Sequence, residues 1–148
     1  MHEDLLYNIY AFSKSKKLVC VESALYYYRY NPVSISKSKY SAKNAIVYDH
    51  LITAKQILID TGRQQLLPCF YVFQAYDSAN MLFAILKSPK AKKVFKADYK
   101  KFLKLLNGSK KYVLKNKNLS SKLKINMIIL SCHMGWVYAL KQFFVRRN

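Results

Sequence analysis

The chain has 148 residues, 52% of them hydrophobic, enough for one domain with a buried core and too apolar for a disordered segment. The 26 Lys and Arg residues face only 7 Asp and Glu, a net charge of +19 that points to an anionic neighbour.

Positions 81–148 carry 17 of the basic residues and a single acid, Asp98. Only Arg29, Arg63, Arg146 and Arg147 are arginine, which argues against bidentate reading of base edges, so no specific nucleic-acid partner is expected. Lys, Asn, Ile and Tyr are also the residues an AT-rich coding sequence supplies, and this accounts for part of the charge. Cys20, Cys69 and Cys132 are far apart in sequence and have no metal-ligand spacing to His2, His50 or His133. They are expected to be small buried hydrophobes in a reducing compartment. Met1-His2-Glu3-Asp4 is acidic where a secretory leader needs a basic start, so a cytoplasmic location is expected.

In chain order, Leu5, Leu6, Ile9, Tyr10 and Phe12 recur at helical steps behind Glu3 and Asp4, acids that suit the positive end of a helix dipole. Residues 18–21 and 24–30 turn β-branched or aromatic, and Tyr26, Tyr28 and Tyr30 alternate with their neighbours, as in two short strands or one bent strand. Asn31-Pro32 ends that strand.

After Ser38 the pattern is helical. Ile46, Leu51, Ile52, Ala54 and Leu58 mark the apolar face of a helix over 42–60 that Gly62 terminates. A second helix is predicted from Leu67-Pro68 to Leu86, and a third restarts at Ser88-Pro89. In the third, Val94, Phe95, Tyr99, Phe102, Leu103 and Leu106 share one face, Lys92, Lys93, Lys96, Lys100 and Lys104 occupy the rest, and Asn107-Gly108 closes it. A lysine-rich connector over 110–118 then leads to an N-cap at Ser120 or Ser121 and a final helix to about Phe144. Its uncharged run, 125–140, is shorter than the roughly 20 residues that span a bilayer. It suits a core helix, or one lying in the membrane interface through Trp136 and Tyr138.

The constellation that carries chemistry is His2-Glu3-Asp4-Leu5-Leu6-Tyr7-Asn8 at a helix start, then Ala24-Leu25-Tyr26-Tyr27-Tyr28-Arg29-Tyr30-Asn31-Pro32, then Ser34-Ile35-Ser36. It resembles the C-terminal part of family 2 glycosyltransferases, the bacterial polysaccharide-building enzymes of the GT-A fold, in which an E-D-L-x-x-N helix precedes an L-Y-x-Y-R strand and an S-I-S loop. The match covers residues 2–37. It implies a mainly α fold with a short β segment, the C-terminal helical portion of a truncated α/β, GT-A-like enzyme. Residues 1–37 are then the end of the catalytic domain and 38–148 a basic helical tail.

The resemblance further implies transfer of a sugar from a nucleotide-sugar donor to a saccharide or lipid-linked glycan acceptor, usually with inversion and a divalent cation, Mn or Mg. Asp4 is then the catalytic base, since a carboxylate beside the acceptor hydroxyl takes its proton as the oxygen attacks the anomeric carbon. Glu3 raises the basicity of Asp4 or orients a sugar hydroxyl, while Arg29, Ser34 and Ser36 hold donor phosphate oxygens. The nucleotide-binding half and its D-x-D motif are expected before Glu3, and no two aspartates in the chain stand two apart, so no metal ligands are expected here. The tail is expected to pack on the catalytic domain or to hold the enzyme, as a peripheral protein, at the anionic inner face of the membrane. The rival reading is a basic helical module on nucleic acid or another polyanion, bound non-specifically.

Overall fold

The computed structural model describes residues 3–17, 19, 40–87 and 89–132, and among these the chain is helical, with no strand. Six helices follow in order: α1 (Glu3–Lys14), α2 (Ile46–Asp60), α3 (Leu67–Leu86), α4 (Pro89–Val94), α5 (Lys96–Lys115) and α6 (Ser121–Ser131). Short 3₁₀ turns, Ala42–Ala45 and Gln64–Leu66, lead into α2 and α3. The expected strand over 18–30 and its Asn31-Pro32 stop lie, Val19 apart, outside the described residues.

The long helices α3 and α5, 20 residues each, make the most extensive contact among the described residues. Between them Phe70, Leu82, Ile85, Phe102 and Leu106 are buried, and α2 and α6 complete the core with Leu51, Leu58, Met127 and Leu130. α1 packs on α2, joining the front of the chain to the helical tail.

Local chemistry sets several boundaries. Gly62 adopts φ 69°, and the Gly62 amide donates to the Ile59 carbonyl (3.0 Å) while the Arg63 amide donates to that of Leu58 (2.8 Å), a Schellman closure of α2. Pro68 sits in the first turn of α3, where no amide is needed. Ser120 caps α6 by accepting from the Leu123 amide at 3.4 Å.

Elsewhere the structure corrects the sequence expectations. The buried face of α2 is Val47, Leu51, Ala54 and Leu58, with Ile46 and Ile52 exposed, because the periodicity that meets α1 and the core runs from Val47. The third helix is broken at Phe95, whose ring turns edge-on to Tyr40 (centroids 5.0 Å apart), and the break leaves Val94 outside at 74% exposed. Asn107-Gly108 does not close the helix. α5 runs on to Lys115, since Leu106, Ser109 and Val113 continue the buried stripe and Gln74 Nε2 donates to Ser109 Oγ at 2.7 Å. A glycine inside a helix costs about 1 kcal/mol, less than that packing contributes. The lysine-rich connector therefore shrinks to residues 116–120. α6 ends in a turn at Cys132, and residues 133–148, with Trp136 and Tyr138, lie outside the described ones. Cys69 and Cys132 are exposed thiols, not buried hydrophobes, because each sits on the outer side of a helix or its end. Cys20 lies outside the described residues.

Tyr40 ties the entrance of the tail to α5. It is 6% exposed, and its hydroxyl donates to Asp98 Oδ2 at 3.1 Å. Burial first, and then the neighbouring Asp98 carboxylate, push the Tyr40 phenol far above its ordinary value. A phenol whose folded pKa is raised contributes stability that is complete below about pH 10 and is lost as the pH climbs toward the folded value. The melting temperature is therefore expected to fall above pH 10, and Tyr40→Phe to flatten that fall while costing about 1.5 kcal/mol at neutral pH. Parallel alkaline slopes for the two proteins would remove Tyr40 from the account.

Candidate functional site

α1 places Asp4 in its first turn with the side chain exposed, while Leu5, Leu6 and Ile9 on the opposite side pack against the core. The other end of the helix is clamped. Arg63 Nε donates to the Ser13 carbonyl at 3.1 Å and its Nη2 to the Ser15 carbonyl at 3.4 Å, satisfying oxygens that the helix end leaves open. Ser13 Oγ and Ser15 Oγ add bonds to the carbonyls of Tyr10 (2.7 Å) and Ala11 (2.8 Å). The helix is thus tied at its C-terminal end by Arg63, and Asp4 is exposed in its first turn.

Arg63 was not singled out by sequence reasoning. Its signal is a lone arginine after the helix-ending Gly62 in a lysine-dominated chain, since a planar guanidinium can serve two carbonyls where an ammonium is a single point charge. Of the expected site residues, Asp4 is the one whose side chain falls among those described. Glu3 opens α1 by its backbone, and its side chain, like Arg29, Ser34 and Ser36, lies outside them.

A second surface is electrostatic. At 100° per residue, Lys96, Lys100, Lys104, Lys111 and Lys115 fall within an arc of about 100° on α5, opposite Phe102 and Leu106, and all five are exposed. Asp98, the one acid on α5, faces the Tyr40 hydroxyl and so does not offset that arc. Aromatic rings border it: Lys101 Nζ stands 5.2 Å from the Tyr48 ring centre, and Lys92 Nζ 5.3 Å from that of Tyr99. At the far end Tyr71 and Tyr112 stack at 4.6 Å, with Lys55 Nζ over the first ring and Lys111 Nζ over the second.

Among the described residues no group of three or more His, Cys, Asp or Glu side chains stands close enough together to hold a metal ion. No helix among them is long and apolar enough to cross a membrane. No protein-family model, curated protein or solved structure matches this chain.

Proposed function

We propose that the chain is the C-terminal portion of a family 2 type glycosyltransferase that transfers a sugar from a nucleotide-sugar donor to a saccharide or lipid-linked acceptor in polysaccharide biosynthesis. One observation carries the reading beyond the sequence motif: Asp4 is exposed in the first turn of a helix whose other end is clamped by Arg63. A general base needs that combination of an accessible carboxylate and a rigid mount. Asp4 accepts the acceptor hydroxyl's proton as its oxygen attacks the anomeric carbon and the nucleoside diphosphate leaves. Glu3 stands beside it in the first turn, and Arg29, Ser34 and Ser36 hold the donor's phosphates. The nucleotide-binding half and the ligands of a divalent cation come from sequence outside these 148 residues.

The first test is calorimetric. The 148-residue chain, titrated with UDP-sugars and Mn²⁺, is expected to bind weakly and to turn nothing over, while the same chain joined to a family 2 nucleotide-binding half binds saturably and transfers sugar. Saturable binding with turnover by the 148-residue chain would overturn the division of labour proposed here.

The alternative reading, a basic helical module binding nucleic acid or another polyanion without sequence preference, draws on the outward lysine arc of α5. Its signature is an affinity that falls linearly with salt on logarithmic axes and does not depend on Asp4.

A further inference from the structure

The lysine arc of α5 has a geometry that selects how it can meet an anionic surface. Its five lysines are spread along a helix about 30 Å long, on the side facing away from the molecule. The apolar side of the same helix is closed, because Tyr99, Phe102, Leu103, Leu106 and Val113 are all buried. An amphipathic helix that enters a bilayer does so with a continuous apolar face, and of the large apolar side chains of α5 a single one, Leu114, is exposed. What it presents is a straight row of point charges, one every turn or two.

We infer that the outer face of α5 is a docking surface for an anionic lipid bilayer, bound by charge alone and without insertion. Charge complementarity selects an anion, and two features select a bilayer among anions. The charges of the arc are all lysine, compact ammonium groups suited to a fluid array of headgroups, with no guanidinium fork for base edges, and they share the arc with the exposed Asn107 and Leu114. The bordering Tyr48, Tyr71 and Tyr112 hold Lys101, Lys55 and Lys111 over their rings and carry the positive surface sideways from α5 toward α2, broadening a ridge into a strip. The choice of a bilayer also rests on the glycosyltransferase reading, in which a lipid-linked acceptor lies at the membrane.

The test is co-sedimentation of the full chain with vesicles of phosphatidylcholine alone or of equimolar phosphatidylcholine and phosphatidylglycerol. Binding is expected only to the anionic vesicles, and it should vanish at about 0.5 M salt, where the screening length falls to a few ångströms. The triple variant Lys96→Gln, Lys100→Gln, Lys104→Gln keeps helix propensity at three exposed positions and should partition about 10²-fold more weakly, each lysine near the surface being worth about five-fold. A control with the same charge loss at the exposed Lys16, Lys17 and Lys43 should lose less than about five-fold if the face, and not net charge, is what binds. Equal losses in the two variants would overturn the assignment to α5. Binding that persists in high salt would overturn the non-inserting mode. A chain that leaves anionic vesicles for duplex DNA at equal phosphate concentration would be a nucleic-acid binder. None of these readouts involves donor or acceptor, so failure here leaves the sugar-transfer experiment to stand or fall by itself.

Discussion

In the chain joined to a nucleotide-binding half, Asp4→Asn is expected to lower kcat by about 10²- to 10⁴-fold and to leave donor affinity nearly unchanged. The substitution removes the basic oxygen but keeps the size of the side chain, and asparagine is tolerated in the first turn of a helix. The Arg63 clamp and the packing of Leu5, Leu6 and Ile9 are at the far end or the opposite side of α1, so the helix stays seated. The loss should therefore fall on the chemical step and not on the fold, which far-ultraviolet circular dichroism of the variant would show directly. An Asp4→Asn enzyme with near-normal turnover would reduce Glu3 and Asp4 to acids that complement the helix dipole.

The second large effect is on stability. Phe102 is fully buried where α5 meets α3, and its ring meets Tyr48 of α2 edge-on with centroids 6.2 Å apart. Phe102→Ala leaves a cavity where three helices converge and is expected to cost about 3–5 kcal/mol in urea denaturation. That is a large share of the roughly 5–15 kcal/mol that domains possess. Phe102→Leu retains most of the volume and should cost about 1 kcal/mol, so the ordering of the two variants remains readable even if the alanine protein fails to fold. Equal and small losses would mean that α5 is not the centre of the core.

The sequence carried the helical class of the tail and several of its boundaries, for definite reasons. Gly62 must take positive φ to close α2, and Pro68 fits only a first turn at the start of α3, so punctuation residues placed those ends. The run-on of α5 through Gly108 was not legible, because what overrides the glycine is a partner 35 residues away, Gln74 bonding Ser109. The break at Phe95 likewise depends on Tyr40, which periodicity within one helix does not register. For the candidate site, the motif singles out Asp4, whereas the bond that ties the other end of α1, Arg63 reaching back 50 residues to Ser13, has no signature within the helix itself. Lys96, Lys100 and Lys104 of the arc are legible as a polar face, whereas Lys111 and Lys115 fall beyond Gly108 and are not, and only the packing of α3 against the back of α5 shows that its apolar face is buried apart from Leu114.

The central claim is that the helix bearing Asp4 belongs to a sugar-transferring enzyme. Its most direct test is proton NMR of the product formed when the chain, joined to a family 2 nucleotide-binding half, is given a UDP-sugar and a saccharide acceptor. A new glycosidic linkage with inverted anomeric configuration, lost in Asp4→Asn, is the predicted result. A joined protein that binds donor yet forms no linkage, or forms one equally well without the Asp4 carboxylate, would contradict it.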